Sequence, residues 1–182
     1  MHAAIKNQPL PAEREKGPRL LALNKFRSRC ERGRFTLVIG FGNLLRGDDG
    51  IGYRLGDRLA NTIEDGSTRV LAVQQLVPEL AEPISDAELV IFIDASCRLP
   101  PGSWRCDEIQ ANPKSIGALG HYFSPEGLLA YAEALFHAKP VAFLVSIGAE
   151  SFDYGKDLTP TGEKALSEIE KHLRLELLPT RS

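Results

Sequence analysis

From residue 35 onward, short apolar runs alternate with longer stretches in which apolar residues recur every three or four positions. "FTLVIG", rich in β-branched and aromatic residues, predicts a first strand. After a glycine-bearing loop, Ile51, Leu55, Leu59 and Ile63 follow one another at a four-residue spacing, which puts them on one face of a helix. "TRVLAVQQL" predicts a second strand, and "VPELAEPISDA" a short helix that Pro78 starts and Pro83 interrupts. "LVIFIDAS", apolar until Asp94, reads as a central strand covered on both faces, and "GSWRCDEIQ" as an edge strand. Ser124 and Pro125 mark the start of a helix whose buried stripe is Leu128, Leu129, Ala132 and Leu135. "VAFLVSIGA" is the last strand, and Thr159 and Pro160 open a final helix.

This order predicts an α/β fold, a three-layer α/β/α sandwich around a mostly parallel twisted sheet with right-handed crossovers. Loops at the carboxyl ends of such strands line a common crevice. Asp49, Asp94 and the "GAE" that contains Glu150 all fall at or just after strand ends, so groups distant in sequence converge there.

Composition narrows the setting. A chain of 182 residues that is 43% hydrophobic and 25% charged buries a substantial core without disulfides or a structural metal. No apolar run approaches the roughly 20 residues that cross hydrocarbon, so no membrane insertion is expected. The opening stretch carries charge and proline where a signal peptide needs an apolar segment, which points to the cytoplasm. Cys30, Cys97 and Cys106 are odd in number and form no CxxC pair, which argues against a disulfide framework and a thiolate zinc site. Residues 1–34 hold nine basic and three acidic side chains, a charge of +6, and are expected to be a flexible basic extension. Residues 35–182, at −8, form the single expected domain, and their acidity gives no reason to expect a nucleic-acid partner.

"GFGNLLRGDDGIG" poses the central chemical question. A dinucleotide fingerprint requires GxGxxG, but counting from Gly40 and Gly42 the third position is Leu45. The end of the second strand offers Gln74 and Gln75 where a ribose-binding carboxylate belongs, and no ATP-binding P-loop is present. Asp48 and Asp49 stand where carboxylates cap the following helix, and their adjacency also permits one to cap while the other faces the crevice. Asp94 ends an apolar strand, and such a carboxylate needs a cation or hydrogen-bond donors, which neighbouring loop N–H groups also supply. His121 precedes the capped helix, either as an ordinary loop histidine or as a ligand or proton-transfer group. Together Asp49, Asp94 and His121 offer two oxygen donors and one nitrogen donor, a set that suits a divalent first-row metal with open positions.

The sequence resembles the [NiFe]-hydrogenase maturation endopeptidases, which remove a short C-terminal extension from the hydrogenase large-subunit precursor. The first block matches that family's GxGNxLxxDxGxG signature; "FIDAS", "GHYFSPEGLL" and "IGAESFDYGKDLTPTGEKAL" follow in order, so the likeness runs from Phe35 to about Leu178. It implies that Asp49, Asp94 and His121 are the metal ligands and carry the catalytic function. Some relatives have Glu at the position of Asp49, and "VQQLVPELAE" resembles only one branch of the family.

The resemblance further implies that Ni2+ arrives with the precursor, with other divalent cations able to substitute in the free enzyme, which acts as a monomer. Clamping a polypeptide through its metal removes motional freedom before reaction and selects the loaded precursor over the empty one. Either a metal activates the attacking water or an aspartate serves as base in an aspartic-type reaction. Ser96 and Cys97 follow Asp94 but lack a nucleophile elbow. Two further readings are a noncatalytic precursor-binding chaperone or metal-sensing maturation factor, and a peptidyl-tRNA hydrolase, which the acidic body and the "DLTP" block disfavour.

Overall fold

A computed structural model describes residues 35–63, 66–115, 123–155 and 157–177. Strand β1 is Phe35–Phe41, β2 Thr68–Val73, β3 Ala87–Ser96, β4 Trp104–Ile109 and β5 Val141–Gly148. They form one sheet in the order β2-β1-β3-β5-β4, parallel throughout except that β4 pairs antiparallel with β5. The apolar run of β3 thus occupies the centre, with Val90, Ile91, Phe92 and Ile93 all at 0% exposure. The weaker "GSWRCDEIQ" signal belongs to an edge strand, where one side lacks a partner.

Helices α1 (Ile51–Ala60) and α4 (Pro160–Leu177) cover one face. Ile51, Leu55, Leu59, Leu166, Ile169 and Leu173 pack there against Val38, Ile91, Ile93 and Val145. On the other face α2 (Ala81–Asp86) and α3 (Pro125–Phe136) meet Leu37, Ile39, Val90 and Phe92 through Ile84, Leu128, Leu129 and Ala132. The predicted three-layer α/β/α arrangement is present. Among the described residues no helix is long and apolar enough to cross a membrane.

Two expectations need correction. Pro83 does not interrupt its helix: a 3-10 turn at Pro78–Leu80 leads into α2, and Pro83 occupies that helix's first turn, where N–H groups have no intrahelical acceptor to lose. Leu135 is 54% exposed rather than part of the buried stripe, because the last turn of α3 projects past the buried stretch that ends at Ala132.

The glycines of the first loop serve packing. A side chain on Gly40 would overlap the backbone of Gly52 and crowd Gly56, and one on Gly52 would overlap the carbonyls of Phe41 and Ile93. Their bareness lets α1 settle directly on the ends of β1 and β3. The chain passes from β1 to β2 on one side, whereas β3 lies on the other, so the order reverses between β1 and β3. Ligand crevices of open α/β sheets form at such a point.

Candidate functional site

Asp48 and Asp49 lie together in a 3-10 turn, Gly47–Gly50, yet have opposite environments. Neither caps α1, whose N-cap Gly50 receives no side-chain bond. Asp48 is fully buried, at 0% exposure, and reaches across the molecule. Its Oδ2 accepts from the Glu150 N–H at 2.8 Å, the Ser151 N–H at 3.4 Å and the Thr159 hydroxyl at 2.8 Å. Its Oδ1 accepts from the Thr159 N–H at 2.8 Å. Thr159 in turn caps α4, its Oγ1 accepting from the Gly162 N–H at 3.0 Å, so the buried charge sits at the positive end of that helix.

The loop after β5 is laced to the same turn through backbone. Gly47 N–H donates to Gly155 O, Gly155 N–H to Leu45 O, and Asp48 N–H to Ser151 O, while Arg46 Nε reaches Phe152 O at 3.3 Å. Glu150 itself turns its side chain to solvent.

Asp49 and Asp94 flank the reversal point. Asp49 is half-buried, and its Oδ2 accepts from the Asn43 N–H at 3.3 Å. Asp94 lies within the last turn-ward residues of β3, paired in register with Ser146. Burial pushes its carboxyl up from 3.8 to about 7; the neighbouring charge of Asp49 pushes the same way, and the Ala95 N–H pulls against both. The two carboxylates therefore share one electrostatic environment, although 45 residues separate them. Near neutrality one proton on Asp94 relieves their repulsion.

His121, the third sequence-derived candidate, falls outside the described residues, as does the 1–34 extension. Among the described residues no group of three His, Cys, Asp or Glu side chains is assembled for a metal. The two carboxylates supply oxygen donors fit for a divalent cation, and completing a mixed set rests on residues beyond them. Ser96 Oγ accepts from the Arg98 N–H at 3.2 Å, and Cys97 is an exposed free thiol. A hollow of about 340 Å³ lined by Glu108, Gln110, Leu129, Glu133 and Lys139 opens near the start of β5, at the other end of the sheet from the carboxylates.

The cross-molecule role of Asp48 was not read from the sequence, because its partners lie 102 to 111 residues away. One signal was available: Gly162 stands in the first turn of a helix that otherwise avoids glycine, and any side chain there would overlap Asp48 Oδ1.

Comparison with solved structures shows that the fold is that of the hydrogenase maturation endopeptidases. The structure matches the hydrogenase maturating endopeptidase HybD from E. coli at 25% identity and TM-score 0.61, over 79% of this chain and 91% of that one. It matches the hydrogenase 2 maturation peptidase from a Thaumarchaeota archaeon at 25% identity and TM-score 0.60, over 79% of this chain and 98% of that one. The [NiFe] hydrogenase maturation protease HycI from Thermococcus kodakarensis shares the fold, at TM-score 0.66 over 86% of this chain and 98% of that one, with 16% identity. No family model and no curated protein matches the chain by sequence.

Proposed function

We propose that the chain is an endopeptidase that removes the C-terminal extension of a nickel-loaded [NiFe]-hydrogenase large-subunit precursor in the cytoplasm. The observation that carries this reading is the pairing of Asp49 with Asp94 at the β1/β3 reversal, close enough for one charge to raise the proton affinity of the other. The likeness to solved hydrogenase maturation endopeptidases supplies the reaction class.

In this reading nickel is part of the substrate. Asp49, Asp94 and His121 take up coordination positions that the precursor leaves open, and the peptide to be cut is thereby held against the carboxylates. In the free protein burial raises the Asp94 carboxyl to about 7, so it exchanges its proton readily near neutral pH, and in the aspartic-type version of the reaction Asp49 or Asp94 takes the proton of the attacking water. Asp49, at the end of the rigid glycine-packed loop, holds the charge that orients the cation. A precursor without nickel has nothing for the three donors to grip, which accounts for selection of the loaded form.

The test is direct. Purified protein incubated with nickel-loaded precursor should shorten it by one C-terminal segment, read as a mass change, and should leave nickel-free precursor whole. A loaded precursor that binds tightly but keeps its full mass would establish a noncatalytic maturation factor instead.

A further inference from the structure

Resting on the endopeptidase reading, we propose that Asp48 is a positioning residue for the reaction: it locks the turn that aims Asp49, and is itself withheld from the cation. The two halves of this statement have separate supports. A carboxylate offers about four acceptor sites, and Asp48 receives four donations, from Glu150 N–H, Ser151 N–H, Thr159 N–H and Thr159 Oγ1. Gly162 lies against Oδ1 and covers what remains of that oxygen. Nothing of this side chain is left for a cation or a water, so of the adjacent aspartates only Asp49 can serve the crevice.

The aiming follows from turn geometry. In a 3-10 turn of three residues per repeat, successive side chains project about 120° apart. Driving Asp48 into the space between the β5 exit and the start of α4 therefore sets the direction of Asp49, one residue on. Both neighbours of Asp48 are held as well: Asp49 N–H donates to Arg46 O, and Gly47 N–H to Gly155 O. Three chain segments, 47–50, 150–151 and 159–162, are joined through one carboxylate, so loosening any of them changes where Asp49 points.

Replacing Asp48 itself endangers folding, so the informative substitutions fall on Thr159, whose hydroxyl is one of the four donors and whose backbone N–H survives any side-chain change. Thr159→Val removes the Oγ1 donation to Asp48 Oδ2; Thr159→Ser retains it. With nickel-loaded precursor, Thr159→Val should lower kcat about 10- to 100-fold, the scale of a misplacement near 1 Å, while KM stays within about twofold and circular dichroism shows a folded protein at the assay temperature. Thr159→Ser should recover most of the lost kcat. A role confined to stability would lower Tm in Thr159→Val and leave kcat intact, and that result overturns the inference, as does a Ser variant as impaired as Val. Crystal structures of the wild type and Thr159→Val give a second readout that needs no turnover. An Asp49 carboxylate displaced by more than about 0.5 Å, the tolerance of a preorganised site, supports the inference, and an unmoved one overturns it. If the wild-type protein leaves the precursor whole, the endopeptidase reading falls, and the structural arm still decides whether Asp48 aims Asp49.

Discussion

The two ends of the sheet treat carboxylates in opposite ways. At the amino end of β5, Glu133 pairs with Lys139 at 2.7 Å, with 40% and 74% of the two side chains open to solvent, beside a hollow of about 340 Å³. At the carboxyl ends of β1 and β3, Asp48 is fully buried and receives four donations, while Asp94 is half-buried with less support and holds its proton to about pH 7. Solvent and an exposed lysine satisfy charge at the first end; fixed backbone and the Thr159 hydroxyl must do so at the second. The comparison shows that the treatment of charge separates the two ends of the sheet. The end with this hollow has solvated, paired charges, and the other end has carboxylates that only chemistry or architecture explains.

The strongest way to break this comparison is to remove the three candidate ligands one at a time. Asp49→Ala, Asp94→Ala and His121→Ala should each fold and lose precursor cleavage by about 10²- to 10³-fold, up to roughly 4 kcal/mol of transition-state stabilisation. Turnover would be measured alongside circular dichroism. Cys97→Ala should cleave normally, because its exposed thiol has no assigned part. Normal cleavage by all three variants would remove the site assignment, and a dead but folded Cys97→Ala would move the chemistry to the thiol.

How far the sequence revealed this division depends on the range of the interactions involved. Strands and helices were legible because burial on a sheet face or a helix stripe leaves a periodic trace: Ile51, Leu55 and Leu59 are buried on α1 as their spacing required, whereas Ile63 is buried beyond the helix, which ends at Ala60. Asp94 was legible because a charge that ends an apolar run cannot be neutral to the fold. The caps of α3 and α4 were legible in Ser124 and Thr159, whose partners are three residues on. Asp48 was not, since it was expected to cap the helix beside it and instead serves one more than 100 residues later. Leu135 failed for the opposite reason, for it satisfied the local period but lies in a turn that outruns the sheet.

A second test sharpens the contrast through pH. The folded-state pKa of Asp94 is raised above its ordinary 3.8 to about 7, so the folded protein holds a proton that the unfolded chain releases. Stability from this group is complete below about pH 4 and is lost as pH rises toward and through 7. Asp94→Asn keeps the shape and removes the titration. The variant should be more stable than wild type above pH 7 by on the order of 2 kcal/mol, a figure reduced for the solvent access of the site. The advantage should disappear near pH 4. Urea unfolding at pH 4.5, 6 and 8 measures it, and a pH-independent difference would show that the Asp94 charge is not held at a cost.

The smallest expected effect lies at the amino end, and its smallness is the point. Lys139→Ala removes the partner of Glu133 and opens one wall of the hollow. Because both side chains reach solvent, water takes over the carboxylate as soon as the lysine is gone, and the loss should stay within about 0.5 kcal/mol. Cleavage should match wild type within about twofold, since the hollow and the carboxylates occupy opposite ends of the strands. Thermal unfolding and precursor turnover of this one variant set the baseline for the others. A Lys139→Ala protein with normal stability and sharply reduced cleavage would mean that the precursor engages both ends of the sheet, and the division drawn between them would not stand.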